Sequence, residues 1–287
     1  MCLRDGIGQS ELSGQPGVYN YDTTLTAEGD HFRLNGRRFY STGSIYVDYL
    51  RVGANNEAGQ QVSVAVPGDR DGVMHVDDWD GIGQRETGSG TTVLDNVLVH
   101  ADEIGEFRLP PAPGRPRSPL AHLLLHAIAA GILRALTEDT ATLLRERTRT
   151  YSWGNAELAR NDPQLLAVVG SLSSTAFVVE AAVLAAADAL DAATNHIWEY
   201  GEPDDRLEHA ASLRTSQVKV AVEKIALRAA AEAFDAGGAS WTRASVRLDR
   251  HWRNLRTLFS HNPTVYKARV VGDVVVNDAA LPSVGFF

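Results

Sequence analysis

Residues 77 to 90, Asp77-Asp78-Trp79-Asp80-Gly81-Ile82-Gly83-Gln84-Arg85-Glu86-Thr87-Gly88-Ser89-Gly90, set an acidic cluster and an indole beside a run of glycines and hydroxyls. Glycines let backbone come close to a flat or anionic ligand, hydroxyls offer hydrogen bonds, and Trp79 offers a stacking face. The combination suits a bound aromatic cofactor. The competing reading is a tight loop ahead of the strand-like Thr91-Thr92-Val93-Leu94. Cysteine chemistry is more easily bounded: a single cysteine, Cys2, excludes an internal disulfide, a Cys-based zinc site and a redox pair, and fits a reducing compartment.

Two blocks of different texture must position that stretch. Residues 15 to about 108 read as β structure, with an Asn35-Gly36 hairpin turn expected inside Phe32 to Tyr40 and strands expected at Tyr46 to Val52, Gln61 to Val66, Val73 to Val76 and Thr91 to Val99. Pro110-Pro111-Ala112-Pro113-Gly114-Arg115-Pro116 forms a hinge, after which Ala and Leu take over. Helices are predicted over Leu120 to Arg147, from Asn161-Asp162-Pro163 to about Ile197, over Glu208 to Ala236, and from Thr242 to about Phe259. The expected class is α+β: a small antiparallel β-barrel or sandwich domain over 1–116, followed by an antiparallel four-helix bundle over 117–287. No Gly-x-Gly-x-x-Gly follows a strand, which argues against a Rossmann fold.

Charge and hydropathy narrow the partners. Thirty-six acidic against 27 basic residues give a net charge of -9, and the arginines are scattered, so nucleic acid is not the expected ligand and a small molecule is. Met1 to Asp5 has no apolar signal region, and polar breaks interrupt the longest apolar runs, so a soluble, cytoplasmic protein with no membrane role is expected. The Ala-rich second and third helices point to faces buried against another subunit, hence a homo-oligomer, dimer or tetramer.

Three segments carry a family resemblance: Leu34-Asn35-Gly36-Arg37-Arg38-Phe39-Tyr40-Ser41-Thr42-Gly43-Ser44; the 77–90 stretch; and Arg253-Asn254-Leu255-Arg256-Thr257 leading to His261-Asn262-Pro263, Tyr266-Lys267 and Val271-Gly272-Asp273. In this order they resemble the acyl-CoA dehydrogenase superfamily, in the flavin-dependent monooxygenase branch typified by dibenzothiophene monooxygenase. The resemblance implies a flavin between the β domain and the bundle, with Thr42, Gly43 and Ser44 near its N5 and C4a atoms. It places Trp79 on the ring system, Thr87 and Ser89 on flavin or phosphate oxygens, Gln9 and Ser10, in the segment leading into the β domain, against the flavin, and Arg149, with Arg147 as fallback, on the phosphate of a neighbouring subunit's flavin. It further implies reduced FMN (FAD being the alternative) delivered by a separate reductase, O2 as co-substrate, and a C4a-hydroperoxyflavin that oxygenates a small organosulfur or aromatic substrate. Ser44 and His261 would be the catalytic pair; no metal is implied.

Family dehydrogenases use a carboxylate base in the last helices. Between Arg250 and Asp273 this sequence has none and carries His261 instead. An imidazole suits proton movement during O–O cleavage, and suits equally a helix C-cap. The family's first, helical domain is absent from this sequence, which leaves two alternatives to the monooxygenase: an acyl-CoA dehydrogenase-like flavin oxidoreductase, or a truncated, non-catalytic remnant or assembly partner.

Overall fold

The computed structural model describes residues 5–8, 21–106 and 119–282. The chain divides into two compact units between Leu109 and Pro110.

The first unit is one mixed sheet of eight strands: β1 (Asp5–Gly8), β2 (Thr24–Glu28), β3 (His31–Arg38), β4 (Tyr49–Asn56), β5 (Gln61–Pro67), β6 (Val73–Val76), β7 (Thr91–Val99) and β8 (Ile104–Glu106). The order is β6-β7-β3-β2-β4-β5-β8. Antiparallel pairing dominates, as expected, but β1 and β2 both run parallel to β4, along different lengths of it. Alternation along the strands sends Leu34, Leu50, Val52, Ala54, Val64, Val66, Leu94, Val97 and Val99 into one core.

The expected Asn35-Gly36 hairpin is not there. β3 runs straight through both residues, and the chain reverses instead at Gly29-Asp30, where Glu28 faces His31 and Gly29 takes φ 66°. A two-residue turn needs that left-handed conformation at its first position. Asn35 and Gly36 serve a bulge: β7 carries one extra residue between the Leu34–Val97 and Gly36–Leu94 pairs, and the Asn35 side chain accepts the Asn96 amide at 2.8 Å. Gly36 lacks a Cβ because one there would lie 2.2 Å from the Thr23 hydroxyl.

The second unit holds α1 (Leu120–Glu146), α2 (Pro163–Tyr200), α3 (Asp205–Glu232), α4 (Asp249–Phe259) and α5 (Thr264–Asn277). Asp162 caps α2 by accepting the Gln164 amide, Pro163 occupies its first position, and Gly201 ends it at φ 76°. Asp204 accepts the amides of Arg206 and Leu207, which starts α3 earlier than the apolar spacing predicted. The fourth expected helix is shorter than read, beginning at Asp249. Trp241 lies so close over Gly237 that a Cβ there would sit 1.7 Å from the ring, and the chain from Gly238 to Thr242 is a 3-10 turn. α5, absent from the sequence reading, follows Pro263.

By length and composition alone, α1 and α2 are each long and apolar enough to cross a bilayer, a test that a core helix of a soluble protein also passes.

Candidate functional site

In the sheet unit, the two stretches singled out in the sequence run side by side. The Ser41 amide donates to Gly90 O at 3.0 Å, and the Gly43 amide to Thr87 O at 2.8 Å. Between them runs a chain of hydroxyls: Thr42 Oγ1 lies 2.9 Å from Ser89 Oγ, which lies 2.6 Å from Thr87 Oγ1, which donates to Gln84 O at 2.7 Å. The same carbonyl accepts the Trp79 indole N–H at 2.9 Å, so Trp79 joins the cluster through one shared acceptor. Gly81 lies under the indole, where a Cβ would meet the ring at 2.1 Å. Tyr40, with φ 53°, stands edge-on to Trp79 at a centroid distance of 6.0 Å. Asp78 anchors the far end by accepting both the amide and the hydroxyl of Thr91, and these bonds hold its carboxyl below the usual range.

Gly43 takes φ 83°, with open space where a Cβ would stand. It leads into a 3-10 turn over Ser44–Tyr46. Ser44 is 2 % exposed, yet its hydroxyl finds no hydrogen-bond partner among the described residues, and neither does the buried hydroxyl of Ser41. The sheet unit thus brings Thr42, Gly43, Ser44, Trp79, Thr87 and Ser89 into one place. Ser41 was missed because nothing in a Tyr-Ser-Thr-Gly-Ser run tells which hydroxyl turns inward.

Gln9 and Ser10 lie outside the described residues. Arg149 is exposed in the connection after α1, and Arg147 is committed elsewhere. The Arg147 guanidinium donates to Arg149 O at 2.8 Å and to Ala236 O at 2.9 Å, which makes it a clasp.

His261 sits at the corner between α4 and α5, where its amide donates to Leu258 O at 3.4 Å. Its outer edge reaches solvent, but desolvation by the surrounding side chains still leads the causes that push its pKa down. Lys219 follows, and only Asn262 opposes the shift by a hydrogen bond. The ring meets His122 edge-on at 6.1 Å. His122 and His126, one turn apart on α1, are pushed down to about 3 and about 4, in both cases first by burial. Lys219 and Lys267, 2 % and 1 % exposed, are each depressed to about 8, again first by burial. The His-x-x-x-His spacing on one helix face was the available signal for this cluster. The lysines gave none.

A groove of about 480 Å³ lies along β4, β5 and β8, lined by Tyr49, Arg51, Ser63, Ala65 and the 102–105 segment, and it contains none of the residues above. Among the described residues, no three His, Cys, Asp or Glu side chains group as metal ligands.

Comparison with known proteins gives a consistent picture. Residues 123–265 match the family described as acyl-CoA dehydrogenase, C-terminal domain. A dibenzothiophene monooxygenase of Mycolicibacterium goodii is 30% identical over 284 residues, covering 94% of this chain and 68% of its own. A probable FMNH2-dependent monooxygenase, SfnC, of Pseudomonas putida is 30% identical over 253 residues, covering 85% and 62%. Among solved structures, FMN-bound TdsC from Paenibacillus sp. A11-2 superposes with a TM-score of 0.86 at 25% identity, over 99% of this chain and 73% of that one. The chain therefore spans about two thirds of the length of these relatives.

Proposed function

We propose a function from a fixed premise: the chain belongs to the acyl-CoA dehydrogenase superfamily, in the branch of the dibenzothiophene monooxygenases. It is a flavin-dependent monooxygenase that uses FMN and acts on a small organosulfur or aromatic compound. Reduced FMN, when bound, supplies the electrons that divide O2 between an oxygenated substrate and water. A separate flavin reductase provides it in that form.

The observation that carries the reading is the Ser44 hydroxyl. A buried hydroxyl without a partner costs about 1–3 kcal/mol, and a ligand atom offsets that cost. Ser44 is therefore a donor held ready for a ligand, and the Gly43 backbone beside it has open space. The fit to FMN follows from the kinds of groups gathered there. Ser44 and Ser41 offer hydroxyls, the Thr42–Ser89–Thr87 chain holds further ones in fixed orientation, and Trp79 offers an aromatic face. Arg149, exposed in the second unit, is the cation proposed to meet the phosphate of a neighbouring subunit's flavin. His261, whose pKa is pushed down first by desolvation, would take up and return a proton at its imidazole. No carboxylate between Arg250 and Asp273 offers the base a dehydrogenase would need.

A second copy of the chain covers α2. Leu166, Phe177, Leu184 and Trp198 are exposed and recur near whole helical turns along one side of α2, interspersed there with Glu180, Asp188 and Asp191, and Val178, Ile197 and Tyr200 are exposed on its other sides. That pattern favours a partner helix over lipid.

The test supplies the chain with FMN, NADH, a flavin reductase, 18O2 and dibenzothiophene. One 18O atom per product molecule, read by mass spectrometry, is expected. Failure of FMN to bind at high micromolar concentration, read by flavin fluorescence, would remove the cofactor assignment.

A further inference from the structure

We propose that Lys219 is a positioning residue for His261: its ammonium pins the corner between α4 and α5 that presents the imidazole. The inference rests on the reading of His261 as the group that moves the proton.

An ammonium has three donors and no acceptor. Those of Lys219 meet three acceptors: Phe259 O at 3.1 Å, Asn262 O at 2.7 Å and Asn262 Oδ1 at 2.8 Å. The two residues flank His261 in the chain, one two positions before it and the other immediately after. The last carbonyls of a helix lack partners inside it, and a cation suits that end. Here the cation comes from another helix, so it ties the end of α4 to α3 as well as capping it. Asn262 is buried and precedes a proline, which holds its backbone extended. The corner thus has little freedom except at His261.

Glu223, one turn along α3 from Lys219, completes the arrangement. It accepts Arg256 Nη2 of α4 at 3.0 Å and the Thr264 hydroxyl of α5, so the same face of α3 holds both sides of the corner. The groups facing His261 are Lys219 from α3, Lys267 from α5, His122 from α1 and Asn262 beside it. Glu223 and Arg256 act on Lys219 in turn. Two cations next to the imidazole disfavour its protonation.

Lys219→Met removes the ammonium and keeps the stem, while Lys219→Arg keeps a cation. NMR of the His261 ring in the full chain, titrated below pH 7.5, is expected to show the midpoint rising by about half a pH unit or more in the Met variant and staying near wild type in the Arg variant. Amide exchange at Ser260 and His261 is expected to quicken roughly tenfold or more in the Met variant. An unchanged midpoint in Lys219→Met, or an equal rise in Lys219→Arg, overturns the proposal. Should the variants fail to fold, the wild-type Nζ protons decide: slow exchange with water supports the pin, and rapid exchange overturns it. If the midpoint moves in Lys219→Met while the fraction of O2 appearing in product does not change, the pin stands and the role given to His261 fails.

Discussion

The Ser44 hydroxyl loses its hydration on folding and gains no protein partner among the described residues, so the folded chain carries a cost there that a ligand atom would remove. Ser44→Ala should therefore leave the FMN-free protein as stable as before or up to about 1 kcal/mol more stable, while weakening FMN binding. Thermal unfolding with and without FMN checks both halves; a clear loss of stability without FMN would show that the hydroxyl is satisfied. His126 argues in the other direction. Its folded pKa of about 4 lies below the ordinary 6.5, so between those values the unfolded chain holds a proton that the folded chain refuses, and stability falls as pH drops. His126 alone should take about 2 kcal/mol between pH 7 and 5, and His126→Leu should flatten that limb of a melting-temperature profile. The sequence singled out the 40–44 and 77–90 stretches that the fold brings side by side, while the roles of Trp79, Ser44 and His261 belong to the proposal. Lys219 was not legible, because Lys219 and Glu223 stand at i and i+4 and read as a solvated ion pair. Only the tertiary packing shows both turned inward, each on a different part of one corner.

At the scale of elements, periodicity and caps located the helices, and alternation located the strands, because each is a local consequence of which face is buried. Two of the misreadings share a cause: a glycine whose purpose is room rather than backbone freedom. Asn35-Gly36 carries the strongest hairpin signal in the chain, yet Gly36 is extended and lies against Thr23, which is fully buried and cannot yield. Gly237 likewise gives way to Trp241, and the helix expected nearby starts late. Sequence shows that a glycine is present but not whether φ or a neighbour requires it. Gly36→Ala should cost about 1–3 kcal/mol through overpacking. Gly29→Ala, with nothing near its added methyl, should cost only the left-handed strain of about 1–2 kcal/mol, although Gly29 is the actual turn residue. Denaturant midpoints of the two variants measure the difference; a Gly36→Ala protein as stable as wild type would mean that the sheet relaxes around Thr23.

At the scale of the molecule, the question is what covers α2. Leu166, Phe177, Leu184 and Trp198 are 50%, 73%, 57% and 82% exposed, and successive members stand 11, 7 and 14 residues apart. At about 3.6 residues per turn these spacings return close to one line along the helix, and 32 residues at about 1.5 Å each make a seam roughly 48 Å long. The row is not one continuous apolar surface, because Glu180, Asp188 and Asp191 fall on the same side of the helix. A helix surrounded by lipid is apolar on every side, whereas α2 also carries Glu180, Asp188 and Asp191, with Glu180 paired to Arg134 at the surface. Large apolar side chains interspersed with charged ones suit helix-to-helix association, and a second copy of the chain offers the matching row by symmetry. Light scattering should then give a mass at least twice that of one chain at tens of micromolar. Phe177→Glu with Leu184→Glu should lower it to a single chain while leaving the helical circular dichroism unchanged, because neither side chain contributes to the unit's own core. A wild-type chain that stays monomeric and floats with lipid vesicles would assign the seam to a bilayer instead.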